Sequence, residues 1–152
     1  MKYVLDFFGN YILISAILGW MMAQFLKLFT GLLTERKFSL KLMFSNGGMP
    51  SSHSATVMAL CSACAVKEGF ASPYFAISVV LAVIVMNDAL GVRYETGEQA
   101  KILNKITKEL FSGSSAEINT GLKELVGHTP FQVFMGAVLG IVVGIGFSFF
   151  MI

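Results

Sequence analysis

The chain holds two histidines, and each stands beside a proline and a hydroxyl: His53 in GGMPSSHS at 47–54 and His128 in GHTP at 127–130. Three further charged residues stand close to long apolar runs, namely Lys27, Asp88 and Arg93. Ionisable groups beside membrane-type segments are costly, which makes them candidates for function. Two imidazoles, an aspartate, an arginine and a lysine suffice for phosphoryl transfer. One histidine attacks phosphorus, the other protonates the leaving oxygen, the aspartate orients an imidazole, and the cations stabilise equatorial oxygens. Without attack geometry the same set binds a phosphate.

The stretch at 47–54 is the place for the phosphate. Gly48, Ser51 and Ser52 are small or hydroxylated residues ahead of an apolar run, and a helix N-terminus offers free N–H groups and a favourable dipole to an anion. Each residue also has a plainer reading. Ser51 or Ser52 is a helix cap, Lys27 snorkels from the end of a membrane helix, and Asp88 with Arg93 is an ion pair at a helix end. Cys61 and Cys64 form a C-x-x-C without the βαβ context of a redox motif and are read as core filling. No metal and no cofactor is expected: there is no H-E-x-x-H, acids are sparse, and both cysteines lie far in sequence from either histidine. Nothing resembles a nucleotide-binding loop or a nucleic-acid surface.

The elements that must position these groups are apolar. Of 152 residues, 55% are hydrophobic and 13% charged, and mean hydropathy is +0.73. A soluble domain carries roughly 25% charged residues, so a bilayer is the better solvent. Four hydrophobic segments, at 9–29, 54–66, 74–86 and 131–152, predict an all-α membrane bundle of about four spans forming a single domain over 1–152. The middle two are short for a span unless 51–54 and 87–91 continue as helix. Ser72 ahead of Pro73 is a plausible N-cap. Residues 97–110 place Ile102, Leu103, Ile106 and Leu110 at helical spacing opposite Lys and Glu, which predicts an amphipathic helix at the membrane surface or under the bundle. A turn is expected at 111–116 and a short helix at 119–126.

Nine of the eleven basic residues lie in two regions, 27–41 and 93–123, separated by an even number of crossings. The positive-inside rule puts both in the cytoplasm and both termini outside. The 7–29 run is too long for a signal peptide h-region and has no cleavage site after it, so an integral protein of a bacterial-type inner or plasma membrane is expected. Gly136, Gly140 and Gly144 form a small-residue stripe that permits close helix contact, within one chain or across a homodimer.

With these residues the chain resembles the divergent PAP2 family, related to acid phosphatases and vanadium-dependent haloperoxidases. The resemblance rests on GGMPSSHSA at 47–55, VMNDALGVR at 85–93, GEQAKILN at 97–104 and GHTP at 127–130. The wider superfamily pattern is K-x6-RP, PSGH and SR-x5-H-x3-D. Pro50–Ser51–Ser52–His53 is similar to the second motif, which makes His53 similar to its general acid. Lys27 and Arg36 match the first only loosely. In the third, the step from Arg93 lands on Gln99, not histidine, and then on Leu103. Either His128 and Asp88 hold those roles from other positions, or phosphatase chemistry is lacking.

The leading expectation is thus a phosphatase-like membrane protein acting on a lipid or polyprenyl phosphate at the cytoplasmic face. His128 would be nucleophile, Asp88 its orienting group, His53 the acid, and Lys27 and Arg93 the oxyanion clamps. The alternative is a non-catalytic phospholipid-binding or lipid-translocating protein of the same architecture.

Overall fold

A computed structural model of the chain describes residues 1–35, 48–111, 122 and 127–151. The described residues form six helices: α1 Lys2–Phe8, α2 Tyr11–Glu35, α3 Ser52–Glu68, α4 Pro73–Leu90, α5 Val92–Phe111 and α6 Pro130–Met151. Local chemistry sets their starts. Asn10 Oδ1 accepts from Leu13 N–H at 3.2 Å and opens α2. Ser51 caps α3, and Ser72 caps α4 by accepting from Phe75 N–H at 3.1 Å with Pro73 in the first turn, as N-cap geometry requires. Gly69 closes α3 at φ +81°, a left-handed conformation that glycine adopts without a Cβ penalty. The expected turn at 111–116 and short helix at 119–126 lie outside the described residues, apart from Phe111 at the end of α5 and Leu122.

Helix α3 is the axis of the bundle and packs against α2, α4 and α6. It runs antiparallel to α2, since Gly19 faces Ala55 and Ala59 while Thr30 reaches Met49. With α6 it runs parallel: Gly136 faces Ser51 and Ser54, Gly140 faces Ala55 and Met58, and Gly144 faces Ala59 and Ser62. A Cβ at any of these three glycines would meet a carbonyl oxygen of α3 inside contact distance. The stripe therefore serves packing within the chain. A second copy would have to use another surface.

This arrangement explains the composition of α3. Its buried face is Ser52, Ser54, Ala55, Val57, Ala59, Cys61, Ala63 and Cys64, all small or medium side chains that let three neighbours approach. Buried hydroxyls elsewhere are satisfied by their own helix: Ser15 donates to Tyr11 O, Ser78 to Phe75 O and Ser148 to Gly144 O, at 2.7–2.8 Å. Large apolar side chains point outward instead, among them Phe25, Ile77, Ile84, Phe134 and Val142. That inversion suits a lipid solvent, which gains nothing from hiding them.

Among the described residues, three segments are long and apolar enough to cross a membrane: Tyr11–Gly31, the Pro73–Leu110 stretch that contains α4, and Pro130–Met151. Helix covers 52–54 and runs to Leu90, with Ser51 as the cap of α3 and Gly91 beyond the end of α4. Yet α3 has 17 residues, about 26 Å at 1.5 Å per residue, against a hydrocarbon core of about 30 Å. Its small polar side chains keep it below the apolarity of a lipid-facing span, and its place among three helices removes the need for it.

Changing Gly140 to alanine forces a Cβ onto the Ala55 carbonyl and should destabilise the detergent-solubilised protein by about 1–3 kcal/mol. Gly146→Ala, where a Cβ meets nothing within 4 Å, should be neutral or stabilising by up to about 1 kcal/mol. Denaturation in mixed micelles checks the pair; equal losses at both positions would contradict the packing described.

Candidate functional site

The polar residues singled out in the sequence gather at the N-terminal end of α3. Its cap is built from serines: Ser51 Oγ accepts from Ser54 N–H at 3.3 Å, and Ser54 Oγ–H donates to Ser51 Oγ at 3.1 Å. Both serines are fully buried. By position, the first-turn N–H groups of Ser52 and His53 have no preceding helical carbonyl to bond. The approach to the cap is a turn at 48–50 in which Gly48 has φ +92° and the Met49–Pro50 bond is cis. Thr30 Oγ1–H pins it to α2 by donating to Met49 O at 2.7 Å.

Lys27 reaches the same place from α2. It is 3% exposed, and its Nζ donates to Ser52 Oγ at 3.3 Å. A snorkelling lysine would put its ammonium in water; this one turns inward to the start of α3. One turn earlier Gln24 is buried, and its Oε1 has no hydrogen-bond partner. A buried polar atom left in that state costs about 1–3 kcal/mol, which marks this face of α2 as more than packing surface.

His128 arrives from the opposite side. It is 1% exposed, and its backbone N–H donates to Ala89 O at the end of α4, at 3.3 Å. Its ring meets that of half-buried His53 edge to face, with centroids 5.8 Å apart. Residues 75 positions apart in sequence thus meet ring against ring beside the α3 cap. Asp88 is half-buried and adjacent to Ala89. Among the described residues, no hydrogen bond or ion pair joins its carboxylate to either histidine. Arg93 lies on α5, and its side chain is outside the described residues, as are Arg36 and Gly47.

The His128 ring has a partner that the sequence reading did not name, Gln132. His128 Nδ1 lies 3.3 Å from Gln132 Oε1. The Thr129 N–H also donates to that oxygen, at 3.1 Å. A backbone N–H can only donate, so Oε1 is the acceptor and the neutral His128 ring carries its proton on Nδ1. The lone pair then sits on Nε2, the nitrogen that could attack phosphorus or accept a proton. Gln132 N–H in turn lies 3.4 Å from Thr129 Oγ1. Thr129–Pro130–Phe131–Gln132 is therefore a capping box, with threonine at the cap and glutamine three residues on. That pattern was available in the sequence. Gln132 was overlooked because it sits inside the apolar run at 131–152, where a neutral amide draws less attention than a charge.

Gln132 also ties the two halves together, since its carbonyl accepts the Ser51 N–H at 3.0 Å. One residue thereby fixes the His128 ring by its side chain and the α3 cap by its backbone. Chemically, the assembly offers first-turn N–H donors, hydroxyls, one ammonium and two imidazoles, a set suited to an oxyanion.

Comparison with known proteins agrees with this architecture. The sequence profile of the Divergent PAP2 family matches residues 8–143. The chain is 37% identical to an uncharacterised membrane protein, YuiD, of Bacillus subtilis (strain 168), over 96% of this chain and 99% of that protein. No solved structure matches. The match runs from before α2 into α6, as far as the residue before Gly144, and so takes in both histidines and the α3 cap; the chain belongs to the divergent PAP2 family.

Proposed function

We propose that this membrane protein is phosphatase-like and acts on the phosphate of a lipid or polyprenyl phosphate. The carrying observation is the meeting of His128, His53, Lys27 and the serine cap of α3 at one helix end. In this reading the phosphate oxygens accept from the Ser52 N–H and hydroxyl at the start of α3, with Gly48 giving the turn its shape. Lys27, joined by Arg93, compensates the charge. His128 Nε2 attacks phosphorus while His53 protonates the leaving oxygen, and water then releases phosphate from the imidazole. A substrate held in a membrane bundle carries its own acyl or prenyl chain in lipid, so the site needs to recognise only the head. The proposed side of action is the cytoplasmic face, a reading supported by the clustering of basic residues in 27–41 and 93–123 under the positive-inside rule.

One observation favours a second reading, a phospholipid binder or translocating protein without turnover. Attack by a neutral histidine leaves a cationic phosphoimidazole, and an orienting carboxylate stabilises such a cation. Gln132 is neutral: it supplies the right tautomer and orientation but no charge. Replacing the orienting carboxylate of a serine-protease histidine by its amide costs about 10⁴ in rate, though there chiefly through the wrong tautomer.

Purified protein in vesicles should release phosphate from a polyprenyl or diacylglycerol phosphate, and His128→Ala or His53→Ala should lower turnover by about 10²-fold or more. Full activity in His128→Ala would remove the nucleophile from the scheme. Gln132→Glu should raise turnover and Gln132→Leu lower it, with the His128 tautomer followed by ¹⁵N chemical shifts. If no variant turns over substrate while the parent binds phospholipid and Lys27→Ala does not, the binding reading holds.

A further inference from the structure

Helix α2 carries two buried polar side chains one turn apart, Gln24 and Lys27, which are 8% and 3% exposed. Residues at this spacing share a flank of a helix, so the amide stands on the side of α2 that sends the ammonium to Ser52. Their depths differ. Lys27 meets Ser52, and Gly19 meets Ala55 and Ala59. Gln24 lies between those levels, inside the Tyr11–Gly31 span, about 4.5 Å along α2 from Lys27 toward the middle of the bundle. Hydroxyl donors of this region already have acceptors: Ser54 donates to Ser51 Oγ, Thr56 to Ser52 O and Thr30 to Met49 O. Gln24 Oε1 is buried and receives no donor. Of the fully buried residues at this level, Ala23 and Ala55 offer a water nothing to bond, and Ser54 is committed to Ser51.

We propose that Gln24 determines the specificity of the α3 site, its Oε1 accepting from a hydroxyl that the ligand carries close to its phosphate on the membrane side. The inference rests on the reading of this end of α3 as a phosphate site, and it narrows the ligand class. With the phosphate beside Lys27 and Ser52 and the acyl chain directed into the bilayer, the next group inward falls at Gln24. The step between the two residues is comparable to the separation of a phosphorus from a hydroxyl on the second carbon beyond its ester oxygen. A cationic donor would be repelled by the Lys27 ammonium, so the donor is neutral. A polyprenyl phosphate has only hydrocarbon at that point, and a diacylglycerol phosphate has only ester acceptors. Either would leave Oε1 buried and unpaired, the condition under which a site built for a hydroxyl rejects the analogue lacking it. A monoacylglycerol phosphate supplies the donor.

The test measures binding of 1-acylglycerol 3-phosphate and of its deoxy analogue, 1-acylpropanediol 3-phosphate, to the full chain in detergent micelles. The parent should bind the hydroxyl lipid about three- to tenfold more tightly. Gln24→Leu should abolish that ratio by weakening the hydroxyl lipid alone. It should also leave the ligand-free unfolding midpoint unchanged or higher, because an unpaired amide gives way to an apolar side chain of similar size. Lys27→Ala should weaken both lipids together. Equal affinities in the parent, with both lost in Lys27→Ala, would overturn the role of Gln24 and leave the phosphate site standing. A lowered midpoint in ligand-free Gln24→Leu would overturn it as well, since the amide would then serve the fold. If neither lipid binds in a way that depends on Lys27, the phosphate reading falls and the role of Gln24 falls with it.

Discussion

The contact on which the structure depends is that between the α6 backbone and the carbonyl oxygens of α3. At Gly136, Gly140 and Gly144 there is no side chain between the helices, so their axes approach as closely as backbone allows. Dispersion falls off steeply with distance. In lipid, where apolar side chains gain nothing by associating, such intimacy is the main source of helix affinity. It also has a functional result. Parallel packing at short range brings the start of α6, with His128 and Gln132, beside the start of α3, with Ser51 to His53. Were α6 held off by larger side chains, the bond from Ser51 N–H to Gln132 O would open first, because it lies at the level of Gly136.

The start of α3 gathers positive potential. A helix N-terminus carries about half a positive charge, and the Lys27 side chain is drawn into it from α2. Such a collection is suited to an anion that the membrane itself supplies. The serines hold the first turn: Ser51 Oγ accepts from both the Ser54 N–H and the Ser54 hydroxyl. In the neutral tautomer that the Gln132 contact favours, His128 presents a lone pair on Nε2.

Much of this was legible in the residues, though unevenly. Short-range signals carried well: Ser72–Pro73 marks the start of α4, the serines before His53 mark that of α3, and apolar spacing anticipated α5, whose start lies five residues earlier than expected. That His53 and His128 share a helix-entry environment was visible from their neighbours; that they share one site required the fold. Gly136, Gly140 and Gly144 signalled close approach without naming the partner, since contacts within and between chains obey the same sterics. The depth of α3 was obscured because a helix enclosed by helices has no need of lipid-grade apolarity. Asp88 drew the orienting role because a carboxylate at a membrane edge stands out. The neutral Gln132 holds the ring, by geometry that only a capping box reveals.

The spacing of small residues has one more effect. Positions 136, 140, 144 and 148 on α6 and 51, 55, 59 and 63 on α3 are all glycine, alanine or serine, so the two ribbed surfaces repeat every four residues. Slid by one helical turn, about 6 Å, they would again mesh small against small. Dispersion alone is therefore nearly blind to which of two alignments the bundle adopts. What tells them apart, among the described residues, is the polar clasp at one end, where Gln132 meets Ser51 and His128 hangs from Ala89. The residues that gather at the start of α3 thus also serve as an index mark for the register of α6.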